Sequence, residues 1–159
     1  MLLTALTLIH VLLSLAGIVT GFIVVLNWIQ SRSVSRWTEI FLYSTIATSV
    51  TGYFFPVDHL MPSHVVGFLS LIALAFAMYA LRSKHLIGGW KTTFAVSSLI
   101  ALYFNTFVLV VQSFLKVPTL HELAPTGSEP PFQIAQGCVL VLFLAMGTLA
   151  TRKFRALAV

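Results

Sequence analysis

Asp58, His59 and His64 lie within one short segment, Phe55-Pro56-Val57-Asp58-His59-Leu60-Met61-Pro62-Ser63-His64. One carboxylate and two imidazoles are transition-metal ligands, and a fourth donor from elsewhere, such as His10 or His121, would complete a site. The spacing matches no established metal motif, so the plainer reading makes Asp58 and His59 solvated loop residues. His64, one turn into the next helix, is the one expected to point inward. His10 stands in an apolar run, roughly 12 Å below its end at about 1.5 Å per residue. An ionisable group at such a depth faces the interior and finds a partner. It serves either as a neutral imidazole bonded to a carbonyl or hydroxyl, or as a ligand or proton carrier. Asn105, Gln112 and Lys116 fall at separations of seven and four, which puts them on one helix face. Glu129, Gln133 and Gln136 share a face of the following helix. Neighbouring stripes of this kind either glue two helices together or wall a polar cavity, with Lys116 and Glu129 at its mouth.

The elements that hold these residues follow from composition. The chain has 159 residues, 58% hydrophobic and 8% charged, far from the charge content of a soluble domain. Five apolar stretches stand out, about 2–30, 37–55, 62–81, 90–117 and 131–151, each near or above the length that spans a bilayer as a helix. None alternates like a barrel strand, and backbone groups in lipid must be bonded internally. The expected fold is all-α: a single domain over residues 1–159, a membrane-spanning bundle of five transmembrane helices. The first run is too long for a signal peptide and has no basic residue before Arg32.

Charge orients the bundle. With the N-terminus outside and the C-terminus cytoplasmic, eight of the nine basic residues lie inside and only Lys116 lies outside. Trp28, Trp37 and Trp90 then share the inner interface. Glu39 complements the start of the second helix, and His85 sits in an inner loop. The basic residues mark helix ends and form no patch for nucleic acid.

The segment from Val117 to Ser128 is the longest connection expected. Thr119 and Glu122 have capping-box spacing ahead of Pro125, which predicts a short interfacial helix over about 119–124, with His121 free to reach over the bundle. Gly17 and Gly21 form a GxxxG pair suited to close helix approach. Ser44, Thr48 and Thr51 share one side of the second helix and either bond back to their own carbonyls or line a polar path. The third helix, nearly all apolar, reads as core or lipid-facing. Cys138 reads as a packing residue. No nucleotide-binding loop, nucleophile elbow, HExxH or CxxC occurs, so recognisable soluble-enzyme chemistry is absent.

The strings HVLLSLAGIVTGF, TSVTGYFFPVDHLMPSH and NTFVLVVQSFLKVPTLHELAPTGSEPPFQIAQ resemble a group of small polytopic bacterial inner-membrane proteins with no assigned function. The resemblance implies a multi-pass protein of the bacterial inner membrane and carries over no substrate, cofactor or catalytic residue. The leading expectation is a protein that binds, senses or passes a small ligand or ion through a polar cavity open to the outer, periplasmic side. Its residues are His10, His64, Asn105, Gln112, Lys116, Glu129, Gln133 and Gln136. One alternative makes His10 and His64 ligands of a haem, or partners of a quinone head group. Another is a structural subunit or assembly factor whose partner is a membrane protein or a second copy of the chain.

Overall fold

The computed structural model describes residues 1–32, 36–56 and 62–154. Among them there are six helices and no strand: α1 (Leu2–Ile29), α2 (Arg36–Gly52), α3 (Pro62–Arg82), α4 (Trp90–Lys116), α5 (Pro118–Leu123) and α6 (Pro130–Lys153). Four of them, α1, α3, α4 and α6, are long and apolar enough to cross a membrane. The chain thus has the make-up of a multi-pass membrane protein. α2 is shorter, at 17 residues, and richer in hydroxyls.

The helix ends have local causes. α2 stops at Gly52, three residues before the expected Phe55, because the Pro56 ring disfavours helical backbone in the residue ahead of it. The chain leaves through a tight turn, with the Tyr53 and Phe54 amides donating to the Val50 and Thr51 carbonyls. α5 begins at Pro118 with Val117 as its N-cap and no side-chain cap. The expected Thr119–Glu122 capping box is therefore absent: proline takes the first helical position, where its missing N–H costs nothing, and Thr119 falls inside the helix.

α1 and α2 pack along their lengths, as do α3 and α4, and α1 also meets α4 to close a four-helix ring. α6 lies outside that ring against α1 and α4. Its attachments are Tyr103 and Phe22 around Phe143, and Phe114 against Phe132. Cys138 on α6 is exposed, so the expected packing role in the bundle interior is not the one it has. Neighbouring helices run antiparallel: Gly17 and Gly21 of α1 approach Thr45 and then Phe41 of α2, Ser49 of α2 and Tyr53 just past its end bond Ser70 and then His64 of α3, and Gln136 and Gly147 of α6 approach Phe107 and then Leu99 of α4.

Glycine and alanine set the spacing. A Cβ on Gly21 would sit 2.5 Å from Leu102 Cδ1 and 2.9 Å from Phe41 Cδ2. A Cβ on Gly17 would meet Thr45 Oγ1 at 2.8 Å and Asn105 Nδ2 at 3.1 Å. The GxxxG pair thus lets α1 approach α2 and α4 closely. On α3 the buried stripe Ser70, Ala73, Leu74, Ala77 and Ala80 does the same toward α4. At the end carrying Arg32, Arg82 and Arg152 the interior is filled by Trp28, Phe94 and Phe154, with ring centroids 4.8 to 5.9 Å apart. Trp28 is only 1% exposed, so this indole is a core residue and not the interfacial anchor its position in the chain suggests. Trp37 and Trp90 keep partial exposure at that end.

Candidate functional site

At the opposite end of the ring the helices separate around a cavity of about 680 Å³. It is the end where α1 and α3 begin and α2 and α4 finish. Thr7, His10 and Ser14 line it from α1, at separations of three and four that place them on one face. Asn105, Gln112 and Lys116 face it from α4, His64 and Ser70 from α3, and Thr48 and Ser49 from α2. Phe55, Phe104, Val11, Val66 and Val108 supply apolar wall between the polar groups. Volume and lining match a small-molecule site with a few convergent polar groups.

Several of these polar groups are held by a neighbouring helix. His10 Nδ1 lies 2.9 Å from Thr51 Oγ1 on α2, and the ring makes an edge contact with Phe55 at 5.2 Å. Thr51 itself donates to the Ala47 carbonyl at 2.8 Å. At the floor, Ser14 donates its hydroxyl to Asn105 Oδ1 at 2.8 Å, while Asn105 Nδ2 returns a longer bond to the Ser14 carbonyl at 3.3 Å. Asn105 is buried, so this reciprocal pair is the means by which its amide tolerates the interior. Tyr53 donates to the His64 carbonyl at 2.7 Å, and the two rings lie 5.4 Å apart, which fixes the start of α3 over the end of α2.

Five of the eight expected ligand residues come together here: His10, His64, Asn105, Gln112 and Lys116. Glu129, Gln133 and Gln136 do not line the cavity, because α6 stands on the far side of α4. Glu129 closes its own loop, accepting from the Thr126 amide and hydroxyl at 3.0 and 2.9 Å and from the Ser128 amide at 3.0 Å. Partial desolvation works against ionisation there, yet these donors prevail and hold the carboxyl below its ordinary range. Gly127, with φ +71°, makes the turn that aims them. Gln133 donates to the Ser128 carbonyl at 2.7 Å, and Gln136 donates across to the Phe107 carbonyl of α4 at 3.2 Å. Lys116 and Glu129 form no salt bridge; the ion pair among the described residues is Arg82–Glu39, 2.8 Å, at the opposite end.

The metal expectation centred on Asp58 and His59 falls outside the described residues. Among those described, no three His, Cys, Asp or Glu side chains gather as metal ligands, and His121 is exposed on α5. Most hydroxyls of α2 bond back to their own carbonyls: Ser44 to Ile40, Thr45 to Phe41 and Thr51 to Ala47. Thr48 is the exception, its buried Oγ1 having no partner. The residues sequence reasoning passed over are Thr7, Ser14, Ser49 and Ser70, whose signal was their phase with His10, Thr48 and each other along α1 to α3. A shallower depression between α3 and α4 is walled by Leu69, Ile72, Phe76, Val96 and Ile100 and offers little polar chemistry.

Comparison with known proteins finds no matching family model, no matching curated protein and no matching solved structure.

Proposed function

We propose that the chain is a five-span protein of the bacterial inner membrane, N-terminus outside, that binds a small ligand in the cavity facing the periplasm and so senses or passes it. The observation that carries this reading is the convergence of His10, His64, Asn105, Gln112 and Lys116 from three helices on one cavity of about 680 Å³. Polar groups spread for helix association alone would meet in pairs along the seams; five around an open volume exceed that need. The antiparallel order supports five spans, since α2 runs between two long neighbours, and its 17 residues cover about 26 Å at 1.5 Å per residue. Orientation rests on the basic residues gathered at the Trp28 end.

Native mass spectrometry tests the site. The wild-type protein is expected to leave the membrane with a small-molecule adduct that is depleted in His10→Ala and Gln112→Ala. Adduct levels unchanged in both variants would count against the cavity as the site. Orientation is tested in a Cys138→Ser background by labelling Ser128→Cys and Ser83→Cys with an impermeant maleimide in intact cells: the first is expected to react, the second to be protected. A second reading places a haem between His10 and His64, favoured because both rings line the same cavity. Absence of a Soret band from the purified protein removes it.

A further inference from the structure

The hydroxyl of Thr51 has one proton. Its oxygen lies 2.8 Å from the Ala47 carbonyl and 3.1 Å from that of Thr48, and both of those atoms only accept. Were the proton turned elsewhere, three oxygen lone-pair sets would crowd together, so the proton is held against the helix carbonyls. Thr51 Oγ1 therefore has only lone pairs to offer His10, and the 2.9 Å contact must be His10 Nδ1–H donating to Thr51 Oγ1. The network thus fixes the tautomer. In the neutral ring Nε2 is then a bare acceptor. Among the described residues no hydrogen-bond partner meets it, and His10 lines the cavity.

We infer that the cavity selects ligands that bring a hydrogen-bond donor to His10 Nε2: hydroxyl compounds on an apolar body, of the phenol or quinol type. This rests on the ligand-cavity reading and narrows it. Two features of the wall point to that class. Phe55, Phe104 and the valines between the polar groups suit an apolar body. The charged residue among the described lining is Lys116, with no carboxylate beside it, which disfavours a cationic donor such as an amine. A transition metal would also take the Nε2 lone pair, but the described residues supply no cluster to complete its coordination.

The test compares 4-pentylphenol with 4-pentylanisole, its methyl ether, which keeps the shape and loses the donor. Binding to the full chain in lipid nanodiscs is read by calorimetry. The phenol is expected to bind about tenfold more tightly than the ether, the scale of one unmet hydrogen bond in an apolar site. That ratio is expected to fall towards one in His10→Phe, which keeps an aromatic ring without an acceptor. In Thr51→Val, which frees the ring to change tautomer, it should fall partway. Nitrogen-15 NMR of histidine-labelled protein, with His10→Phe to assign the signal, is expected to show Nε2 as the unprotonated nitrogen. An unprotonated Nδ1 overturns the inference, as does a haem band in the purified protein. Equal affinity for phenol and ether, with Gln112→Ala weakening both, overturns the donor requirement and leaves the cavity reading standing. Failure of both probes to bind wild-type protein, together with adduct levels that His10→Ala and Gln112→Ala leave unchanged, brings down the cavity reading and the inference with it.

Discussion

The two ends of the bundle solve opposite problems with the same four helices, joined at the Trp28 end by Phe154 from the end of α6. At the Trp28 end large rings fill the axis, and Trp28, Phe94 and Phe154 are nearly inaccessible. At the His10 end the same helices carry serine, threonine, asparagine and histidine toward the axis and leave it open. The first end holds the ring together by volume. The second is held by individual hydrogen bonds, each fixing the direction of one side chain. Gly17 and Gly21 lie where one regime gives way to the other: Gly17 touches polar atoms of α2 and α4, and Gly21, one turn on, touches Phe41 and Leu102.

Four outcomes would sharpen or break that division. Trp28→Ala should be the most costly, about 3–5 kcal/mol for an emptied aromatic core position, read as a lower thermal midpoint in detergent. Relative affinity for the phenol and ether probes should survive in the fraction still folded; loss of selectivity would show that the two ends are not separable. Gly21→Ala should cost about 1–3 kcal/mol through overpacking, because Phe41 and Leu102 are themselves buried and cannot both yield. Asn105→Leu leaves Ser14 without its partner and should cost about 1 kcal/mol, with a larger relative effect on probe affinity than on stability. The smallest effect belongs to the α5–α6 loop. Its carboxyl titrates below the ordinary glutamate range when folded, so the stabilisation is complete above that range and disappears as pH falls through the lowered value. Hydrogen exchange at the Thr126 and Ser128 amides should therefore accelerate, relative to other loop amides, only in acid, and Glu129→Gln should abolish that pH dependence.

The long helices were legible in the sequence because apolar length and proline placement are local signals. Those signals put the start of α4 at Trp90 and the end of α3 within a residue of Leu81. The polar face of α4 was legible too, since separations of seven and four fix a phase. A phase does not name the neighbour, however, and of the polar face of α6 only Gln136 met α4, through the Phe107 carbonyl. Glu129 and Gln133 found partners in their own loop, and α6 approached α4 with aromatic side chains. Trp28 was misread because an indole near a helix end suits an interface or a core equally, and only the approach of Phe94 and Phe154 decides which. The support for His10 was half visible: a hydroxyl on a neighbouring helix was expected, while the identity of Thr51 depended on the register of α1 against α2, which Gly17 and Gly21 set through tertiary contact.

The reciprocal Ser14–Asn105 bonds, seated over Gly17, have a consequence for time as well as for space. Beneath them the axis passes into Phe41, Leu102 and Leu99, which are buried and do not line the cavity. On the proposed ligand-binding reading, a molecule arriving beside Lys116 enters a well whose floor is the Ser14–Asn105 pair. Its departure retraces its arrival unless the Ser14–Asn105 latch breaks and α1 slides from α4. If the cavity holds a ligand as proposed, residence, set by how slowly the occupant leaves, is the quantity this architecture controls first, and any crossing is timed by that latch.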